Sequence, residues 1–227
     1  KITIRHLMMM SSGLDWNEGY SSLTSQVTEA YYGTELYKQV TSLGVAEVPG
    51  KFWEYKSCDS ELLAIIVNKA TGKSVAAYAS EKLWKPLGAE HSAQWSLYHK
   101  DGLEKAYCCF YSNARDFARF GKLMLQHGRW NDTQIIDSAF IHQCITPNNL
   151  PNKEDNKPVQ HYGYQWWLSN ISNHPVYYMR GILGQYVIVI PDMQMIIVRL
   201  GHKRSNNPDG KPNDYKFYAE QVIKMFE

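Results

Sequence analysis

The spacing of apolar residues changes period along this chain, and that change limits what it can fold into. Before about residue 158, apolar side chains recur at helical intervals, as in Leu62, Leu63, Ile66, Val67 and Ala70, and again in Phe117, Phe120, Leu123 and Met124. From Gly163 onward the runs shorten to strand length: YGYQWWLS, VYYMRG, QYVIVIP and MQMIIVRLGH, rich in β-branched and aromatic residues and separated by turn residues such as Pro191-Asp192. Residues 215–226 return to helical spacing through Phe217, Tyr218, Val222, Met225 and Phe226. Helices, then an antiparallel meander of about three strands, then a closing helix give an α+β chain. The expected organisation is a single domain over 1–227, mainly helical over about 1–158, with strands and the C-terminal helix over about 159–227.

Punctuating residues set the expected boundaries. Thr3 caps a short helix over 4–10 that stops before Gly13, and a second helix over 34–43 ends at Gly44 ahead of a Pro49-Gly50 turn. Asp59 or Ser60 caps the clearest helix, closed by Gly72, with another following over 75–83. Ser112 or Asn113 caps the Phe117-containing helix, Ser138 starts a short one, and residues 205–213 form an Asn/Pro/Gly-rich loop.

Composition removes several function classes. With 227 residues, 44% of them hydrophobic, the chain can bury a substantial core. Its 24 Lys plus Arg against 22 Asp plus Glu leave a net charge of +2 and no basic block, so nucleic acid is not an expected partner. No apolar run reaches the roughly 18 residues of a membrane span. Cys58, Cys108, Cys109 and Cys144 lack C-x-x-C spacing, and the adjacent pair would bridge only with backbone strain, so all four are expected as core thiols. His6, His161 and His202 have no H-E-x-x-H spacing and no G-x-S-x-G elbow is present, so neither metal nor organic cofactor is expected.

The motifs TIRHLMMMSSGLDWNEGY at 3–20, PGKFWEYKS at 49–57, LLAIIVNKATGKS at 62–74, KLWKPLGAEHSAQW at 82–95, CCFYSNARDFARFGKLMLQHGRWNDTQII at 108–136, YGYQWW at 162–167 and RGILGQYVIVIPDMQMIIV at 180–198 follow one another in a familiar order. In that order they resemble the serine β-lactamase-like hydrolases of the class C and penicillin-binding type, within them the esterase and 6-aminohexanoate-dimer hydrolase branch. The resemblance implies a β-lactamase/transpeptidase-like fold whose N-terminal helix and strands are absent here. In that family the nucleophile sits in Ser-x-x-Lys on a helix, since residues three apart share a face. No serine of this chain is followed three residues later by lysine; position 14 is Leu and position 15 is Asp after Ser11 and Ser12. The resemblance puts the missing helix upstream of Lys1. The chain is therefore expected to be a portion of a hydrolase of small esters or linear amides, inactive alone. A D,D-peptidase or β-lactamase is the alternative within enzymes, and a non-catalytic binding module the alternative outside them.

The same resemblance assigns roles. Tyr55 of Y-x-S would relay a proton, which requires cations to lower a phenol pKa ordinarily near 10. Ser57 would bond the catalytic lysine or the substrate amide, or cap the following helix. Met179-Arg180-Gly181 falls where penicillin-binding relatives carry Lys-Thr-Gly, a departure that removes the usual grip on a β-lactam carboxylate. There Gly181 lets substrate lie against the strand, the Ile182 backbone N–H is an oxyanion-hole donor, and Arg180 holds a substrate carboxylate or stays solvated. Gly184-Gln185 borders substrate or simply makes a turn, Tyr20 is a loop tyrosine closing over substrate, and Trp166 and Trp167 alternate faces, with Trp166 as the cleft wall. The expected partner is a small ester or amide. Periplasm and cytoplasm stay equally open, and an unpaired apolar edge near MQMIIVRL is expected to favour self-association.

Overall fold

The computed structural model describes residues 1–203, 205 and 213–227. They form two units, each assembled from three segments: residues 1–85, 93–111 and 148–159 in the first, and 86–92, 112–147 and 160–227 in the second.

The first unit is helical. Helix α1 (Ile4–Met8) starts behind Thr3, whose hydroxyl accepts the His6 N–H while its own N–H donates to His6 Nδ1, each at 3.3 Å. Helices α2 (Gln26–Tyr32) and α3 (Leu36–Thr41) follow. The first has no clear periodic signal, because only Val27 and Ala30 face inward, and Ser25 caps it. Helix α4 (Ser57–Thr71) begins earlier than expected and ends at Gly72, which takes a left-handed φ of 66°. Neither Asp59 nor Ser60 caps it; both lie inside its first turn. Helix α5 (Val75–Ala79) runs into a π-helical turn at Ser80–Trp84, and strands β1 (Gln94–Trp95) and β2 (Phe110–Tyr111) pair antiparallel. The core collects Leu14, Trp16, Val27, Ala30, Leu36 and Val40 against Cys58 and Ile65 of α4.

Two of the four cysteines depart from expectation. Cys58 and Cys144 are free and buried, but Cys108 and Cys109 are joined to each other in a disulfide. They sit half-buried in a turn, with Cys109 at φ 65°, whose carbonyls are held by the Trp95 indole N–H at 2.9 Å and the Ser96 N–H at 3.1 Å. Adjacent cysteines in such a turn have no core to enter.

The second unit is built on a sheet. Helix α6 (Ala114–Leu125) precedes a small hairpin of β3 (Arg129–Trp130) and β4 (Thr133–Gln134), and α7 (Ser138–Cys144) follows, capped by Asp137. Four antiparallel strands then pair in sequence order: β5 (Trp167–Ile171), β6 (His174–Arg180), β7 (Tyr186–Ile190) and β8 (Met195–Arg199), before α8 (Tyr215–Phe226). The meander thus holds one strand more than expected. All five side chains of β7 are buried, which requires cover on both faces. On one face a Cβ at Gly121 of α6 would meet Val187, Val189 and Ile196, so the absent side chain permits that close approach. On the other, Tyr186 meets Tyr215 and Tyr218 of α8, where Ala219 and Ile223 are fully buried. Helices α6 and α7, grouped by sequence with the N-terminal helices, therefore belong to the sheet unit. Strands β5 and β8 are the outer strands, with none beyond either among the described residues. Most of the expected 205–213 loop lies outside the described residues.

Asp116 ties this unit together. It is fully buried and accepts hydrogen bonds from the backbone N–H groups of Glu90 (2.9 Å) and His91 (3.1 Å), the Asn113 amide (2.6 Å) and Arg119 Nε (3.1 Å). Burial alone would raise its pKa, but these donors outweigh it and hold the carboxyl at about 2. Its stabilising contribution is therefore present above the unfolded-state value near 4 and is lost as pH falls toward 2. Asp116→Ala is expected to lower stability by roughly 2 kcal/mol, measured by urea unfolding, because it leaves four partly buried donors without their acceptor. A loss below about 1 kcal/mol would show that water replaces the carboxylate.

Candidate functional site

In the first unit, α4 begins without a side-chain cap: its N-cap residue is Lys56, which makes none. The exposed amide is answered from elsewhere. Glu18, 39 residues upstream, accepts the Ser57 backbone N–H on Oε2 at 2.8 Å and the Ser57 hydroxyl on Oε1 at 2.5 Å. A carboxylate here also suits the positive end of the helix dipole. The Trp16 indole N–H donates to Oε2 at 2.6 Å, and the Tyr20 hydroxyl donates to Oε1. The loop carrying these residues is braced by Asn17, whose N–H donates to Gln26 Oε1 at 2.6 Å and whose Oδ1 accepts the Gly19 N–H at 2.9 Å.

Two expected site residues, Tyr20 and Ser57, thus hydrogen-bond to Glu18, and Tyr55 lies near enough to Tyr20 to act on it electrostatically. Tyr20 is pushed well above the ordinary phenol value by burial, then by the charge of Glu18, with a further contribution from Tyr55. The residue as a whole is 55% exposed. Ser57 is only 3% exposed and sits inside α4, so the expected capping role falls to Glu18 instead. Tyr55 is half-buried two residues before it. The neighbouring cation, Lys56, is buried with its ammonium on the Leu14 carbonyl at 2.5 Å and on Glu54 at 2.8 Å. Glu18 had no signal of its own in the sequence beyond an acid inside an aromatic, Gly-punctuated loop; its partner is too distant in the chain for spacing rules to reach.

In the second unit Arg180, Gly181, Ile182, Gly184 and Gln185 follow one another from the end of β6 through its turn to β7. The Gly181 N–H donates to the Gln185 carbonyl at 2.8 Å, and the Gly184 N–H donates to the Gly181 carbonyl at 3.1 Å. Gly184 takes φ 81°, a conformation that a side chain would strain. The Gln185 carboxamide is used by the turn itself, accepting the Leu183 N–H at 3.1 Å and donating to the Gly201 carbonyl at 2.5 Å. Ile182 stands at the tip, 45% exposed. The Arg180 guanidinium carbon lies 3.6 Å from the centre of the Trp167 ring, and Arg180 forms no ion pair among the described residues. Trp166 points into the core against Tyr177 and Leu168, whereas Trp167 carries Arg180 on one ring contact and His161 on another. Among the described residues no helix is long and apolar enough to cross a membrane.

A family model described as Beta-lactamase matches residues 1–218. The chain belongs to the Beta-lactamase family. Among its relatives is the 6-aminohexanoate-dimer hydrolase of Paenarthrobacter ureafaciens, 25% identical over 214 residues, a match covering 87% of this chain and 54% of that protein. Of solved structures, a Bacillus anthracis protein provisionally named 6-aminohexanoate-dimer hydrolase superposes with a TM-score of 0.82 at 24% identity, over 99% of this chain and 61% of that one. A D-stereospecific amidohydrolase from Streptomyces sp. superposes at 0.66 and 17% identity, over 97% of this chain and 72% of that one. At those identities the likeness shows the fold, which is the expected β-lactamase/transpeptidase-like one. This Beta-lactamase-family chain spans little more than half the length of the Paenarthrobacter relative.

Buried acids of α4 give the unit a pH dependence. Asp59 is fully buried with Oδ2 making no hydrogen bond, and burial, only partly offset by Ser12 and Lys56, raises its pKa to about 7. Glu61 is raised to about 7 by burial as well, against the Ala106 and Tyr107 backbone N–H groups. An acid raised on folding stabilises most below its unfolded pKa near 4, and that contribution is lost as pH rises through 7. The melting temperature is therefore expected to fall between pH 5 and pH 8, and Asp59→Asn to flatten that slope. An unchanged slope in the variant would assign it to other groups.

Proposed function

We propose that this chain is a portion of a serine hydrolase that opens small esters or linear amides through an acyl-enzyme, with the Ser-x-x-Lys nucleophile carried by sequence outside these 227 residues. The observation that carries this reading is that Tyr20 and Ser57 share one carboxylate at the start of α4, with Tyr55 close enough to act on Tyr20. In the proposed reaction the serine oxygen attacks the substrate carbonyl, whose developing negative charge is met by the Ile182 backbone N–H. The alcohol or amine then leaves with a proton delivered through Tyr55, and water opens the acyl-enzyme. Arg180, whose guanidinium lies over the Trp167 ring, would bind a substrate carboxylate, and Gly181 would allow substrate against the strand. Support for the substrate class comes from the names of the relatives, an aminohexanoate-dimer hydrolase and an amidohydrolase. No cofactor enters this scheme.

The test compares this chain with a protein extended upstream to include a Ser-x-x-Lys helix. The chain alone is expected to resist fluorophosphonate labelling and leave p-nitrophenyl esters intact, while the extended protein is labelled once and turns them over. Tyr55→Phe in the extended protein is expected to lower kcat by about 100-fold or more with the fold unchanged. Labelling of this chain alone would overturn the reading. Nitrocefin turnover by the extended protein would favour a β-lactamase, and its failure to be labelled at all would favour a binding module.

The outer strand β8 has no neighbouring strand on its far side among the described residues and would offer that edge to a second copy. Copies of the isolated chain are expected to associate through it in sedimentation experiments, and Ile197→Pro to disperse them. A monodisperse wild-type monomer at high concentration would contradict this.

A further inference from the structure

We infer that the Cys108–Cys109 bond is a reversible redox site, opened by dithiols and closed again by small disulfides, whose state sets how firmly the 105–109 bulge is clasped to Ser96. The inference stands apart from the hydrolase reading above.

Burial and position single this pair out. The other two cysteines are sealed in apolar cores, Cys58 at 1% and Cys144 at 4% exposure, whereas Cys108 and Cys109 are only half-buried. Burial also pushes up both sealed thiols, Cys144 to about 11, so neither supplies a thiolate near neutral pH. Being neighbours in sequence, the sulfurs of the pair cannot drift apart once reduced, and reclosure stays intramolecular.

The bulge has two kinds of anchor. Ser96 pinches it at both ends, accepting the Lys105 N–H at 2.8 Å and donating its own N–H to the Cys109 carbonyl at 3.1 Å, so residues 106–108 loop out between. That loop is also held by Glu61 of α4, which accepts the Ala106 N–H at 2.7 Å, and by the Trp95 indole N–H, which reaches the Lys105 and Cys108 carbonyls at 3.0 and 2.9 Å. The Glu61 and Trp95 anchors do not involve Cys109. The Ser96–Cys109 clasp does, and it requires Cys109 at φ 65°, a left-handed conformation that a side chain disfavours by roughly 5- to 30-fold. A short ring through both side chains restricts the backbone of both residues. Opening it returns Cys109 to its ordinary preference for negative φ, which turns its carbonyl away from Ser96.

The opening step is thiol–disulfide exchange. A thiolate of the external dithiol attacks one sulfur of the pair, forming a mixed disulfide and releasing the other sulfur as a thiolate. The second thiol of the dithiol then displaces the first sulfur. The dithiol departs as its own disulfide, two electrons have passed to the pair, and its two protons end on Cys108 and Cys109. Among the described residues no three His, Cys, Asp or Glu groups gather to hold a metal, so the reduced pair offers two sulfur ligands and no tetrahedral site. A trivalent arsenical, which needs only two adjacent thiols, is therefore the fitting probe.

The test uses the 227-residue chain. After reduction with dithiothreitol and its removal without air, iodoacetamide and peptide mapping are expected to find labels on Cys108 and Cys109, where the untreated chain takes none. Cys58 and Cys144 are expected to react only in guanidinium. Phenylarsine oxide at one equivalent is expected to block both labels, and to leave the single label of Cys108→Ser in place. In the 15N-labelled chain, reduction is expected to speed amide exchange at Ser96 by about 10-fold and at Ala106 by less than about 2-fold, with hydroxyethyl disulfide restoring the slow rate. Cys108→Ser/Cys109→Ser is expected to match the reduced wild type. Cys108→Ser/Cys109→Gly, free to take positive φ without a ring, is expected to keep Ser96 slow under both conditions. Thiols at 108 and 109 that stay free in hydroxyethyl disulfide, labelling of all four cysteines together on reduction, or an unchanged Ser96 rate in the reduced chain would overturn the inference.

Discussion

Strand β7 leaves none of its five side chains in solvent, and the second unit is organised around that fact. Its backbone groups are answered by β6 and β8, and its side chains need an apolar layer on each face. Helix α6 supplies one, brought close by Gly121, and α8 supplies the other through Tyr215, Tyr218, Ala219 and Ile223. The same covering obliges the 86–92 segment to reach α6, which it does through the buried Asp116. The turn between β6 and β7 inherits its rigidity from this core, so Gly181, Ile182 and Gly184 sit where two fully paired strands end.

The first unit meets the same constraint at a helix end. Helix α4 starts on a lysine that cannot cap it, and a buried amide left unanswered costs as much as a lost hydrogen bond. Glu18 answers it and in doing so draws Trp16, Tyr20 and Ser57 to one point. A structural requirement and a candidate chemical site therefore share one carboxylate. The family match supplies the fold, and the arrangement around Glu18 is seen in this chain's own hydrogen bonds.

Much of the fold was legible because it depends on local spacing. Helices α4, α6 and α8, their Gly72 and Asn113 boundaries and the antiparallel meander all follow from periodicity and cap residues within a few positions of one another. Helix α2 was not legible, since two inward residues make no period. The Cys108–Cys109 bond was misjudged because the turn that holds those residues is fixed by Trp95 and Ser96, more than ten positions away. Trp167 opens β5 and Trp166 lies just ahead of it, and which of them met Arg180 depended on what each packed against.

By itself, then, the sequence determined the α+β class, the family, the order of the elements and the residue types available for chemistry, because these rest on local pattern and on motif order. Only the tertiary structure decided that Ser57 is buried inside α4, that Gln185 serves its own turn, and that Glu18 joins Trp16, Tyr20 and Ser57. Those outcomes depend on hydrogen bonds between residues far apart in the chain, whose partners become neighbours only when the apolar core closes.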